Sequence, residues 1–381
     1  MTMTATSILP ALVKAVRPFA FRGRRGPLAL RDALVRHDGG STSVTATDLE
    51  IACTITACEA GRDNGLFLVD AACGVPVGDD HDPAEFPAVY RLDGSPVATF
   101  AMSLRDLRRV ADHVASVTDT ETSRYALGGV LLENPVAGVA TFVGTNGRRL
   151  HAAAVQTYNG EGDVPVNTII PGRLFPAAVK AVKAAAALAG IKGRAVDALP
   201  VVVTVTGTAV EFAWGTETVF VAARGCLVQG RFPRWRECLR DFDGGTDSTA
   251  PAERLAADCR AIVAATKVVA DRRADAYVAQ MAAAGKRVAR GAYQHPRGVQ
   301  FSPEGLSADG CEYSRPIALS ATVKLDPAYV ADALDAAADF AGCDEVTIRA
   351  TDATTAVYLP AGDLMSGGTG FLAIVMPMAA E

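Results

Sequence analysis

A β-branched strand that halts at a Thr-Asp or Thr-Asn step and then resumes occurs three times in this chain, at Thr47-Asp48, Thr145-Asn146 and Thr351-Asp352. Successive copies stand 98 and 206 residues apart, and self-similarity at a long period marks a fold assembled from repeated units. In 381 residues this spacing fits three related units of somewhat over 100 residues, with boundaries near residues 98 and 230. A chain of this length buries sizeable cores without disulfides or metals.

Period-two alternation rich in Val and Thr predicts strands over 41–57, 138–155, 200–224, 345–359 and 370–377. Gly-Thr pairs at 207–208 and 215–216 supply the turns of a β meander. Apolar residues at three- and four-residue spacing predict helices over 7–18, 103–116, 174–190, 252–283 and 326–340, the fourth broken near Asp271. Pro10 suits a first helical turn, Ser103 and Asp326 read as N-caps, Pro327 follows the latter, and Gly190 closes the third helix. Helices and strands fall in blocks, so the expected class is α+β rather than a wound parallel sheet.

Composition excludes a disordered, collagenous or coiled-coil chain, because 50% of residues are hydrophobic and only 21% are charged. The net charge of -5 argues against a protein coated in positive charge, but it hides segregation. Residues 1–31 carry +6 without an acid, 164–196 carry +5, and 265–299 carry +5, leaving -21 elsewhere. Three basic segments in an acidic frame either line one surface or form scattered solvated faces. The eight cysteines show no C-x-x-C pair, so they read as buried free thiols in a reducing compartment rather than a metal site. Lys14 and Arg17 interrupt the apolar N-terminal patch, and no apolar run nears the roughly 18 residues of a membrane span, so a cytoplasmic protein is expected.

Signs of an enzyme are few. No Walker or dinucleotide Gly-rich loop follows a strand, no G-x-S-x-G occurs, and His37, His81, His113, His151 and His295 are dispersed. His151 follows Leu150 in a strand and reads as structural. Asp48 and Asp352 are simpler as turn residues capping backbone N–H groups than as catalytic acids. No catalytic residue, metal site or cofactor is expected.

Four stretches resemble the bacterial beta sliding clamp, the processivity subunit of the replicative DNA polymerase. They are TDLEIA at 47–52, SRYALGGVLLE at 123–133 followed by TNGRRL at 145–150, GRFPRWRECL at 230–239, and IVMPMAA at 374–380. The likeness covers most of the chain and is patchy over 58–82 and 265–296. It implies three clamp domains, 1–98 (shortened), 99–229 and 230–381, the last with a helical insertion near 271–290. Two such protomers close head to tail into a homodimeric ring around double-stranded DNA, with helices lining the hole and antiparallel sheets outside. The five predicted helices, the fourth over 252–270, would form the lining.

The resemblance places DNA contacts at Arg24, Arg25, Arg124, Tyr125, Lys180 and Lys183. Basic helix faces meet phosphate without reading sequence, as sliding demands, and Lys180 and Lys183 stand three apart on one face. It also implies a groove between the second and third domains, where polymerase and clamp-loader subunits dock a peptide. Its wall would contain Leu127, Thr145, Gly147, Arg148, Arg149, Leu150, Pro233, Tyr329, Ile374, Met376, Pro377 and Met378, the flexible methionines suiting several partners.

Departures from the family pattern are Asn146 for an Asp, Glu237 and Cys238 for basic and aliphatic residues, and the ending Ala379-Ala380-Glu381. Unit one reaches Glu85-Phe86-Pro87 too quickly, so a helix and neighbouring strands of the first domain are expected to be reduced or missing. The added third-unit helix would compensate at the ring interface. A clamp paralogue serving repair, a mobile element or a regulatory partner is the other reading.

Overall fold

The structure is a computed structural model describing residues 8–21, 30–59, 64–77, 82–87, 95–121, 125–286, 298–308, 311–313, 319 and 321–378. Contacts divide the chain into two compact units: Met1–Gly144 with Ala154–Phe232, and Thr145–Ala153 with Pro233–Glu381. Arg24, Arg25 and Arg124 lie outside the described residues.

Unit 1 begins with helix α1 (Ile8–Val16) and strands β1 (Asp32–Asp38), β2 (Ser41–Thr47), β3 (Ile51–Cys58) and β4 (Gly65–Asp70). Then come β5 (Ala98–Ser103), α2 (Leu104–Arg109), β6 (Gly129–Val136), β7 (Val139–Thr145), β8 (Arg149–Gln156), β9 (Tyr158–Gly162) and β10 (Thr168–Pro171). It closes with α3 (Leu174–Leu188), the short α4 (Arg194–Asp197), β11 (Pro200–Val205), β12 (Ala209–Gly215) and β13 (Val219–Cys226). Residues of β7 and β8 from Thr145 to Ala153 belong to unit 2.

An antiparallel sheet runs β4-β1-β2-β3-β13-β12-β11-β5-β9, all within unit 1. Its middle is the seven-pair junction of β3 with β13, from Val219↔Ala57 to Gly225↔Ile51. Val44, Ala46, Ile55 and Val221 are buried along it, the alternation that the β-branched pattern requires. α1 packs on β2 and β3 and against α3, which covers β12 and β13. Ser103 caps α2 by accepting from the Asp106 N–H at 3.0 Å, and Gly190 (φ 79°) follows the last turn of α3.

Unit 2 contains β14 (Thr246–Pro251), α5 (Ala252–Ala283), β15 (Val299–Ser302), β16 (Gly305–Ala308), β17 (Cys311–Tyr313), β18 (Val323–Leu325), α6 (Pro327–Ala341), β19 (Glu345–Ala350), β20 (Val357–Gly362) and β21 (Gly370–Val375). Strands β21, β20, β19 and β14 pair in that order, and a second sheet runs β17-β16-β15-β18. α6 packs on β19, β20 and β21 and lies against α5. Asp326 caps α6 through the Ala328 N–H at 2.9 Å.

A module of one helix and its following strands recurs, and modules exchange their leading strands. β5, before α2, pairs with β11, after α3; β10, before α3, pairs with β6, after α2. In unit 2, β14 pairs with β19 and β18 with β15 in the same way. The α1 module has no such exchange among the described residues, and β4 pairs along the edge of β1 instead. From Glu59 to Val97 the described residues hold β4 and a short turn at Pro83–Glu85 but no α-helix.

Three local expectations need correction. α5 runs unbroken through Asp271 for 32 residues, because an Asp costs a helix interior only about 0.7 kcal/mol and no Gly or Pro interrupts. The helix after Ser103 loosens into a π-helical stretch at Val110–Val114 and a 3-10 turn at Ala115–Val117. The cysteines are not uniformly buried: Cys53 and Cys259 are, while Cys58, Cys73, Cys238 and Cys343 are exposed. Burial pushes the Cys259 thiol up to about 12 and that of Cys53 higher still, which keeps both as inert thiols.

Candidate functional site

The Thr-Asx step builds the same turn twice. The Thr47 hydroxyl donates to the Ile51 carbonyl (3.0 Å) and accepts from the Leu49 N–H (3.0 Å), while Asp48 Oδ1 accepts from the Glu50 and Ile51 N–H groups at 3.1 and 3.0 Å. In unit 2 the Thr145 hydroxyl donates to Arg149 (2.7 Å) and accepts from Gly147 (3.0 Å), while Asn146 Oδ1 accepts from Arg148 and Arg149 at 3.0 and 3.1 Å. The residue after the Asx is left-handed in both, Leu49 at φ 78° and Gly147 at φ 84°. Both turns join the second strand of a module to its third. The third Thr-Asp step, Thr351-Asp352, joins β19 to β20, the first and second strands, so it is turn chemistry at a different place in the module.

The turn in unit 2 sits against α6. Asn146 Nδ2 reaches the Tyr329 hydroxyl at 3.3 Å, the Arg149 guanidinium lies 4.3 Å from the Tyr329 ring centroid, and Arg149 Nη1 pairs with Asp332 at 2.5 Å. The chain end is tied to the same place, with the Met376 N–H donating to the Arg148 carbonyl at 3.0 Å and Met378 to Lys324 at 2.8 Å. Leu150 and Ile374 are buried, Pro233 and Arg148 are exposed, and Met376 is 43% exposed beside half-buried Pro377 and Met378. Unit 2 therefore gathers Thr145, Gly147, Arg148, Arg149, Tyr329 and Met376 at one place, while Met378 bonds to Lys324 of β18. Leu127 falls in unit 1. His151 is buried and edge-on to Phe371, centroids 5.2 Å apart.

On α3, Lys180, Lys183 and Ala187 form the exposed stripe opposite the buried Phe175, Ala178, Val182 and Ala185. Neither lysine makes an ion pair among the described residues. Lys14 and Arg17 are exposed at the end of α1, which packs against α3. Tyr125 opens a 3-10 turn, Tyr125–Gly128.

Two features differ from the sequence expectations. α6 carries Asp332 and Asp335 at the positions equivalent to Lys180 and Lys183 of α3, so one helix is acidic where the other is basic. Arg149 and Arg260 pair with these two acids. Arg173, counted among the basic residues, forks onto Asp48 and Glu50. Burial opposes its charge, but the hydrogen bonds and charges of the two acids outweigh that and raise its pKa. Partners separated by 183 and 125 residues leave no local signal.

No family model and no curated protein sequence matches this chain. Solved structures do. The DNA polymerase III beta subunit of Thermotoga maritima superposes with a TM-score of 0.69 at 14% identity, covering 100% of this chain and 99% of that one. The Helicobacter pylori beta clamp bound to a DNA ligase peptide gives 0.68 at 11%, covering 99% of each. The Pseudomonas aeruginosa sliding clamp bound to griselimycin gives 0.69 at 17%, covering 99% and 98%. The chain has the fold of the bacterial beta sliding clamps from end to end, an α+β fold of antiparallel sheets and packed helices.

Proposed function

We propose that this protein is a DNA sliding clamp, a non-catalytic processivity subunit that encircles duplex DNA and tethers a DNA polymerase and other partners. The observation that carries the reading is the exposed Lys180 and Lys183 stripe on α3 of a chain that follows the clamp fold along its whole length. Unpaired cations on a helix face hold phosphate through salt-dependent, sequence-independent contact that permits slipping. Arg24, Arg25, Arg124 and Tyr125 complete the proposed DNA surface.

Partners dock a short peptide beside Arg149, Tyr329, Met376 and Met378, and the peptide-bound neighbour supports that reading. The proposed domains are 1–98, 99–229 and 230–381, two protomers form the ring, and the protein works in the cytoplasm. No helix among the described residues is long and apolar enough to cross a membrane.

The direct test loads the protein onto nicked circular DNA with a clamp loader. A clamp stays on the circle and is lost when the circle is linearised; equal loss from both forms overturns the proposal. Sedimentation showing only monomer at micromolar concentration removes the dimeric ring.

A paralogue in repair, a mobile element or regulation is the second reading, favoured by the α1 module standing without an exchange partner among the described residues. Failure to retain clamp-binding peptides in a pull-down supports it over a main replicative role.

A further inference from the structure

We infer that unit 1 holds a second peptide-receiving pocket, at the first turns of α3, which takes an extended peptide presenting an apolar side chain beside a carboxylate. The choice of a peptide as occupant rests on the proposed peptide site of unit 2; the pocket itself stands on its own geometry.

The two Thr-Asx turns share every backbone bond, so residues can be matched across them: Asp48 with Asn146, Leu49 with Gly147, Ile51 with Arg149. Helix exposure extends the match. Lys180, Lys183 and Ala187, exposed on α3, stand in the same phase as exposed Asp332 and half-buried Asp335 and Asp339 on α6, a constant offset of 152. Tyr329 then corresponds to Ala177, and Asp332 to Lys180.

In unit 2 the place is filled: Arg149 lies on Tyr329 and its charge meets Asp332. In unit 1 the same place is open, because Ala177 ends at its β-carbon and Ile51 turns inward, 2% exposed. What remains is a cavity of about 580 Å³ with an apolar wall of Pro18, Ala20, Phe21, Ile51, Pro176 and Ala177. That volume lies inside the roughly 300–1,000 Å³ of ligand pockets.

Its charged lining is Asp48, Glu50, Arg173 and Lys180. The four charges sum to zero, and Arg173 is committed to both acids, which leaves Lys180 as the one cation of the lining without an ion pair among the described residues, available to a ligand. An apolar slot with one open ammonium selects an apolar side chain with a neighbouring carboxylate. Phosphate of DNA would use the ammonium but gain nothing from Phe21, Pro18 and Pro176.

Methyl NMR on the full chain tests this with two reporters, the δ1 methyl of Ile51 and the ε methyl of Met376. Titration with acetyl-Phe-Asp-Leu-amide shifts Ile51 saturably. Replacing the Asp by Asn weakens that response roughly threefold to fivefold, the worth of an exposed ion pair. Ala177→Tyr, which rebuilds the unit 2 filling, abolishes the Ile51 response and leaves that of Met376. Should that variant fail to fold, Lys180→Glu reverses the preference toward acetyl-Phe-Lys-Leu-amide. Movement of Met376 with Ile51 still overturns the inference and spares the unit 2 site; movement of Ile51 alone upholds it and removes that site. Shifts at Ile51 from duplex DNA but not from peptide also overturn it.

Discussion

The Thr47 turn and the Thr145 turn are one backbone with two fillings. In each, a threonine hydroxyl and an Asx oxygen satisfy the N–H groups of a strand reversal, and those bonds need only two residue types in sequence. Beyond the turn the two diverge. Unit 2 sets a cation on the turn and an aromatic and an acid on the helix, and the place closes. Unit 1 sets acids on the turn, Arg173 at the N-cap of the helix and Lys180 about two turns further on; Arg173 is used and Lys180 is left over. The lesson is that repeated backbone chemistry fixes where a site can be, while side chains far away in sequence decide whether it is filled or open.

The largest way to break the contrast is to empty unit 2. Tyr329→Ala removes the ring under Arg149 and the partner of Asn146, and should cost roughly 2 kcal/mol, less than a fully buried aromatic because Tyr329 is half-buried. Urea unfolding measures the loss, and the variant should expose Arg149 as Lys180 is exposed. Next comes the Asx itself. Asp48→Ala removes the acceptor of two backbone N–H groups and one anchor of Arg173, about 1.5–2 kcal/mol, against about 1 kcal/mol for Asn146→Ala. Equal losses from the two variants would show that the Arg173 ion pair adds no more to its turn than the Asn146–Tyr329 hydrogen bond adds to the other.

Exchanging the residues at the left-handed position gives a smaller, opposite-signed pair. Leu49→Gly relieves a side chain at φ 78° and should raise stability by about 1 kcal/mol, whereas Gly147→Ala at φ 84° should lower it by about 1 kcal/mol, both read from urea midpoints. The smallest effect is on pH. The Thr354 N–H and hydroxyl and the Thr355 N–H hold the Asp352 carboxyl below its usual range. A depressed acid contributes stability above its unfolded value and loses it as pH falls through the folded one. The Thr354 amide resonance should therefore move below the ordinary carboxylate range, while the Arg148 amide, bonded to untitratable Asn146, should not show that step.

Much of the architecture was legible because its signals are local. The alternation over 41–57 and 200–224, the caps Ser103 and Asp326, and the turn at 207–208 each depend on neighbours in sequence, whereas the turn expected at 215–216 falls at Thr216–Thr218, with Gly215 still in β12. The five alternating stretches hold ten of the described strands and miss β1, β4, β5, β6, β9, β10 and β14 to β18, most of them short; β1, for one, carries Asp32, Arg36, His37 and Asp38, which blur the apolar pattern. Its His37 is nonetheless buried, with Nδ1 2.7 Å from the Thr42 hydroxyl, which donates to Glu59 at 2.6 Å. Thr351-Asp352 read as a third copy because a Thr-Asp turn carries no mark of which strands it joins. The candidate site was half legible: the exposed phase of Lys180 and Lys183 follows from helical spacing, but the pairing of Arg149 with Tyr329 and Asp332 exists only after folding.

Helix α5 has a thermal consequence. After Ile262 only Ala274 is buried along it, so residues 263–283, roughly 30 Å of helix at 1.5 Å per residue, rest on alanine-rich propensity and i to i-4 hydrogen bonds more than on packing. Such turns open one after another, with free energies far below that of the whole molecule. Their amides exchange with solvent hydrogen first, and warming shortens the helix turn by turn while the turns through Ile262, which carry most of its buried residues, stay packed.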